Sequence, residues 1–240
     1  PVEAVFGDDT AAVEALRANR ADVAFLSSRP ALKAEQLANA RLYLGEVRST
    51  YSGAHTYKSI FVVPKDSPLK SGKGKAILSQ LQGKRIAFTS PTSGSGFIFP
   101  VAELVSQKLV PDRDRLNGFF GQVTYGGSYD KALQAVLRGQ ADVAVVSEYT
   151  LGAPYITAAE ASNLRVLYSI SGVPAHGVAI DDDVPVTDRN KIVAAMLKLN
   201  EPENNQLLTS LYNSTKLVKV NHAEHLKPIG DALQLAGMKP

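Results

Sequence analysis

"AVEALRANRADVAFLSS" (12–28) and "ALQAVLRGQADVAVVSE" (132–148) are one segment written twice, 120 residues apart. They agree at seven of seventeen positions: Ala12, Ala15, Ala21, Asp22, Val23, Ala24 and Ser27 match their later counterparts. In each copy apolar residues at helical spacing, Val13 and Leu16 or Leu133, Val136 and Leu137, lead through a short polar turn into a buried-looking strand. Both copies therefore read as helix, turn and strand. Two explanations stay open: a two-lobe pseudo-symmetry, or the ordinary recurrence of this unit in an α/β chain.

The rest of the sequence continues the alternation. Strands are predicted near 2–6, 58–63, 84–89 and 164–168, and helices near 75–82, 97–109, 188–199, 204–212 and 222–236. Strands alternating with helices imply a mostly parallel sheet, whose ligands sit at the carboxyl ends of its strands. "VVPKDSPLKSGKGKA" (62–76), rich in Pro, Gly and Lys, reads as a crossing between lobes. A second crossing is expected at "SISGVPAHG" (169–177), where small residues and Pro174 break any regular element.

At 240 residues, 45% hydrophobic and 20% charged, the chain can bury a substantial core and matches an ordinary globular composition. The net charge is +3, but Lys and Arg are scattered rather than interleaved with aromatics, so nucleic acid is not an expected partner. With no cysteine, disulfides, thiolate metal sites and a Cys nucleophile are excluded. No apolar run approaches the roughly 18 residues that span a bilayer. The chain is expected to be soluble, with any export signal already removed.

"FTSPTSGSGFIFP" (88–100) stands between the strand-like KRIAF and the helix-like VAELVSQKLV, with four hydroxyl residues, Ser90, Thr92, Ser93 and Ser95, and no charge. A helix start presents unpaired N–H groups and a positive dipole end, which together suit an anion. Gly94 and Gly96 let backbone approach a ligand closely. The plainer alternative is that Ser93 or Ser95 only caps the helix.

Enzymatic motifs are absent here. The stretch lacks the Gly-Lys-Ser/Thr ending of a P-loop, and "TSGSG" begins on Thr92 rather than the glycine of a nucleophile elbow. His55 or His176 would be the base for a nucleophilic Ser95, but a lone His in a polar stretch is usually structural or exposed. His222 and His225 lie one helical turn apart without a third ligand, and are expected on a solvated helix face. No metal or cofactor is expected.

Taken together, four stretches resemble the substrate-binding proteins of phosphonate, phosphite and phosphate ABC transporters. "GDDTAAVEALRANRADVAFLS" resembles the family's helix, turn and strand, and "YKSIFVVPKDSPL" its Tyr-x-Ser strand and Lys-Asp-Ser turn. "KRIAFTSPTSGSGFIFP" resembles its hydroxyl-rich loop ending in Pro, and "GGSYDKALQAVLRGQADVAVVSE" its Gly-Ser-His-Asp/Glu helix start and following strand. The resemblance implies an α/β, two-lobe, type II periplasmic-binding fold, with mixed, mostly parallel sheets flanked by helices and the ligand in an interlobe cleft. Lobe 1 would comprise 1–80 and return over 173–240, with lobe 2 at 81–172. The family usually has a strand and helix before the position of Pro1, which implies a fragment of the mature protein or a trimmed first lobe.

Carried over by position, Ser93, Gly94 and Ser95 would bind the oxyanion, with Ser90 and Thr92 as neighbours and Tyr57 and Ser59 approaching from the first lobe. At the first strand tip, where the family often has Gly-Pro-aromatic, Ser27, Ser28 and Arg29 stand instead, and Arg29 is either a bidentate cation for the anion or a surface charge. Tyr129, between Ser128 and Asp130, occupies the common His position and donates without becoming cationic. Asp130 or Glu148 would accept the O–H of a protonated phosphorus oxyanion and so reject sulfate, unless Asp130 is simply a favourable helix-start charge. The implied function is capture of a small phosphorus oxyanion and its delivery to a membrane permease, without catalysis, by a periplasmic or extracellular monomer. Anchoring through a removed N-terminal segment is part of that expectation. A sensory ectodomain and a hydrolase on the same fold are the alternatives.

Overall fold

The structure, a computed structural model, describes residues 2–48, 51, 54–212 and 214–240. In chain order it begins with α1 (Asp9–Arg17), β1 (Val23–Leu26), α2 (Ser28–Ala38), β2 (Arg41–Val47) and β3 (Thr56–Pro64). Then come α3 (Lys75–Ser79), β4 (Arg85–Phe88), α4 (Phe99–Ser106), β5 (Gln122–Tyr125), α5 (Tyr129–Leu137) and β6 (Val143–Ser147). The remainder holds α6 (Ala158–Ser162), β7 (Leu164–Pro174), β8 (Gly177–Ile180), α7 (Val186–Leu197), α8 (Asn205–Tyr212), β9 (Lys216–Lys219) and α9 (His222–Leu235).

The two copies of the repeat fold alike. Asp8 caps α1 by accepting the Ala11 N–H at 2.8 Å, and Val13 and Leu16 bury its inner face. The helix closes on Asn19, whose φ of 52° is left-handed, and the Arg20 N–H returns to the Ala15 carbonyl at 2.8 Å. In the second copy Gly139 has φ 68°, and the Gln140 N–H returns to Ala135 at 2.8 Å. Asn and Gly are the residues that tolerate this conformation at a helix end. Replacing Gly139 with Val is therefore expected to cost about 1–2 kcal/mol, and Gly139→Asn clearly less, read as the shift in urea midpoint. Equal losses would contradict a conformational cause.

The chain divides into two compact units. The first runs from the N-terminal residues through Thr56, then Pro174–Gly230 and Pro240. Its sheet has the order β1-β8-β2-β9, with antiparallel β1–β8, β2–β8 and β2–β9 pairs, and Leu44, Val178, Ile180, Leu208 and Leu217 fill its core. The second comprises Tyr57–Val173 and Asp231–Lys239. Its sheet runs β5-β4-β6-β3-β7, with β4 parallel to both β5 and β6 and β3 antiparallel to β6. Leu133 and Val136 of α5 pack there on Ile60, Val62, Ala144 and Val146.

Several expectations need correction. Residues 57–80, expected in the first lobe, belong to the second unit because β3 pairs with β6 over Ser59–Val62. The 62–76 stretch is accordingly no crossing. Arg165 of β7 holds it by donating to the carbonyls of Lys65 and Ser67 at 3.2 and 2.7 Å and to Ser71 Oγ at 2.6 Å. The second crossing does fall within 169–177, between Val173 and Pro174, but through regular structure rather than a break, since β7 continues to Pro174 and β8 begins at Gly177. Residues 231–239 join the second unit rather than the first.

Residues 2–6, expected as a strand, are not one, and Val2, Val5 and Phe6 are exposed. Their counterpart 120 residues later is β5, an edge strand whose sole neighbour is β4. No strand among the described residues fills the matching place in the first sheet, so the segment has nothing to pair with.

A buried carboxylate helps hold the first unit. Glu46 is 2% exposed, 2.8 Å from Arg48 Nη1 and 2.9 Å from His176 Nδ1, and accepts the Ser214 hydroxyl. Burial alone would push its carboxyl up, yet the His176 hydrogen bond and charge, Arg48 and Ser214 together hold it below the ordinary 4.5. A carboxyl depressed in the folded state stabilises above its unfolded pKa and loses that contribution as pH falls through the folded one. The melting temperature is therefore expected to fall as pH drops below 4.5, with a flatter acid limb in Glu46→Gln. Parallel acid limbs in the two proteins would contradict this assignment.

Candidate functional site

The 88–100 stretch forms a wide turn rather than an ordinary helix start. Ser93 caps it, its Oγ accepting the Gly96 N–H at 3.0 Å, and Gly94–Ile98 wind as a π-turn that runs directly into α4. Such turns recur at functional sites. Gly96 makes this one possible: a Cβ there would lie 2.3 Å from Thr89 Oγ1 and 2.4 Å from Thr89 Cβ. Thr89 is itself fixed, donating from Oγ1 to the Val145 carbonyl at 2.9 Å and from its N–H to the Gly96 carbonyl at 3.2 Å.

This turn carries Ser95 into a cluster of hydroxyls within the second unit. Ser95 is fully buried, its Oγ 2.6 Å from Ser147 Oγ, 2.8 Å from Tyr129 Oη and 3.5 Å from Tyr57 Oη. Ser59 Oγ donates to the Ser95 carbonyl at 2.6 Å. Tyr129 Oη also lies 3.4 Å from Ser93 Oγ. Because Ser93 Oγ already accepts from Gly96, its own hydrogen points elsewhere. The Gly94 and Ser95 N–H groups, in the first turn, have no intrahelical acceptor. Neutral donors thus converge from β3, the π-turn, α5 and the end of β6.

Most of the remaining expected residues have partners elsewhere. Ser90 and Thr92 pair with each other, Oγ to Oγ1, at 3.2 Å on the exposed side of the loop. Asp130 occupies the first turn of α5, where the Ser128 hydroxyl beside it and the N–H groups of Asp130 and Lys131 hold its carboxyl below the usual range. Glu148 accepts the Lys58 N–H at 3.0 Å. Both carboxylates thus have backbone partners of their own, which favours the helix-start reading of Asp130. Tyr57, expected from the first lobe, lies in the second unit with Ser95. Ser27, Ser28 and Arg29 open α2 in the first unit, where the Ser27 hydroxyl donates to Asp9.

The histidines are committed to the first unit. His55 and His225 meet Nδ1 to Nδ1 at 3.1 Å, and His225 Nε2 lies 2.9 Å from the Ala175 carbonyl. His222 Nδ1 accepts the Leu42 N–H at 2.8 Å. The expected solvated face is therefore wrong: His222 and His225 are 7% and 5% exposed, because they tie α9 down through backbone hydrogen bonds. A hollow of about 410 Å³ lined by Pro64, Lys65, Asp66, Val136, Leu137, Asn163 and Leu164 shares no residue with the hydroxyl cluster.

Sequence reasoning missed Ser147, and the signal was in the repeat. Its counterpart is Ser27, the last identity of the two copies: Ser147 ends β6, and Ser27 immediately follows β1.

Residues 1–225 match the family model described as ABC transporter, phosphonate, periplasmic substrate-binding protein. The chain belongs to this family. A curated relative, the phosphonates-binding periplasmic protein of Escherichia coli K12, is 26% identical over 217 residues, covering 88% of this chain and 60% of its own length. The chain thus spans about three fifths of that relative's length. Among solved structures, PhnD1 from Prochlorococcus marinus in complex with methylphosphonate is similar with TM-score 0.76 at 18% identity, over 98% of this chain and 85% of that one. A binding-protein component of a Pseudomonas aeruginosa ABC phosphonate transporter gives 0.74 at 18% identity, over 95% and 73%. These structures share the expected α/β fold of the phosphonate-binding family.

Proposed function

We propose that this phosphonate-family binding protein captures a phosphorus oxyanion, a phosphonate, phosphite or phosphate, at the second unit's hydroxyl cluster and delivers it to the membrane permease of an ABC transporter. The observation that carries the reading is the convergence of Ser93, Ser95, Tyr129 and Tyr57 hydroxyls on one helix start. The three or four oxygens of such an anion need several donors at once, and a helix start supplies backbone N–H groups and a favourable dipole besides. Phenols and serines donate as neutral groups and can also accept, so they suit an anion that retains a proton. The methylphosphonate held by the Prochlorococcus relative supports this ligand class.

The proposed protein acts in the periplasm as a monomer, and binds without catalysis or nucleic acid. Ser95 meets hydroxyls rather than an imidazole, which supports the non-enzymatic reading. Family resemblance alone nominates Ser27, Ser28 and Arg29 as further contacts. Calorimetric titration with methylphosphonate, phosphite, phosphate and sulfate tests the reading. Micromolar or tighter binding of at least one phosphorus anion, with sulfate weaker, is the expected outcome; no binding by any of the three would end it.

A further inference from the structure

We infer that Tyr149 is a positioning residue that sets the spacing of the Tyr57 and Tyr129 phenols, and through it the size of phosphorus substituent the site accepts. The inference rests on the proposed oxyanion site. Tyr57 stands on β3 and Tyr129 opens α5, elements far apart in sequence. Their phenols nevertheless reach the same atom, Ser95 Oγ. The ring of Tyr149 contacts both, 5.3 Å from Tyr57 at 58° and 6.1 Å from Tyr129 at 79°. It is 7% exposed, so this placement is set by packing.

Tyr149 is itself held from two directions. It follows β6 by two residues, in the short helical turn Glu148–Thr150, which the Thr150 hydroxyl fastens to the Ser147 carbonyl at 2.7 Å. The same Ser147 gives its Oγ to Ser95, so one strand end fixes both the central hydroxyl and the aromatic wedge. Tyr155 supports it from the other side, 6.1 Å from Tyr149 and 6.2 Å from Tyr129. Tilted and edge-on ring pairs have a preferred separation and resist compression. Around the hydroxyl cluster the two donor phenols therefore stand on an aromatic wall, and a phosphorus substituent directed at that wall would meet ring carbon. Small apolar substituents are the class this wall admits.

Titrating the full chain and its Tyr149→Phe and Tyr149→Met variants with methylphosphonate and phenylphosphonate tests this, with near-UV circular dichroism confirming the fold. In the parent, methylphosphonate is expected to bind at least tenfold tighter than phenylphosphonate. Tyr149→Phe keeps the ring and is expected to stay within about threefold of the parent for both. Tyr149→Met, folded, is expected to lose about tenfold or more for methylphosphonate and to narrow the methyl-to-phenyl ratio by a similar factor. If Tyr149→Met does not fold, Tyr155→Leu takes its place, and the ratio is expected to narrow there. A folded Met or Leu variant with the parental ratio overturns the inference while leaving the oxyanion site intact. A parent that binds neither phosphonate overturns the site itself.

Discussion

Replacing Ser93 and Ser95 together with alanine is expected to weaken oxyanion binding by roughly 1–3 kcal/mol for each donor lost to a charged group, at least about thirtyfold overall. The two serines act differently. Ser93 accepts from Gly96 and has a hydroxyl hydrogen that Tyr129 or a ligand can take, so Ser93→Ala removes a donor and also a cap. Ser95 lies at the centre of the cluster, and Ser95→Ala leaves Ser147 and Tyr129 without their shared partner. The single variants are therefore expected to be non-additive, because both serines meet Tyr129. Titration of methylphosphonate into variants whose melting transition remains cooperative separates loss of binding from loss of fold. A folded double variant with parental affinity would move the site elsewhere in the chain.

The second large effect is expected at Gly96. An alanine Cβ would fall 2.3–2.4 Å from Thr89, closer than any real contact. Thr89 cannot simply rotate away, because both its hydroxyl and its N–H are bonded and it is 5% exposed. Either the π-turn opens, withdrawing Ser93 and Ser95 from Tyr129, or β4 shifts against β6. Overpacking of this kind typically costs about 1–3 kcal/mol and occasionally more. Gly96→Ala is expected to show that loss in urea unfolding together with weaker methylphosphonate binding. Gly74→Ala, with open space around its Cβ, is a control for which only the cost of a left-handed φ is expected. Parental stability and affinity in Gly96→Ala would show that the turn is not built as described.

How much of this was legible in the sequence depended on whether the signal was local. The repeat gave helix, turn and strand in both copies because Asn19 and Gly139 mark their turns and the apolar spacing is regular. The hydroxyl loop announced itself by composition. Strand partnership was not local: nothing within 57–64 says that β3 joins β6, and the fit of Ile60 and Val62 against Leu133 and Val136 decides it. The polar look of 62–76 concealed a loop ordered by one distant arginine, Arg165. His222 and His225 looked solvated because their donor and acceptor partners, the Leu42 N–H and the Ala175 carbonyl, lie far off in the chain. Of the proposed site, Ser93, Ser95, Tyr57 and Tyr129 could be nominated from residue type and resemblance, and the structure brings their hydroxyls together. Ser147 and Tyr149 were not nominated, because only the folded chain brings the end of β6 and the turn after it against Ser95 and Tyr57.

Backbone amide shifts recorded while methylphosphonate is titrated into isotopically labelled protein test the central claim most directly. Hydrogen bonds from the Gly94 and Ser95 N–H groups to a phosphoryl oxygen should move those two resonances furthest, in proportion to occupancy. Saturation of binding with both resonances unmoved would contradict the claim that this helix start holds the anion.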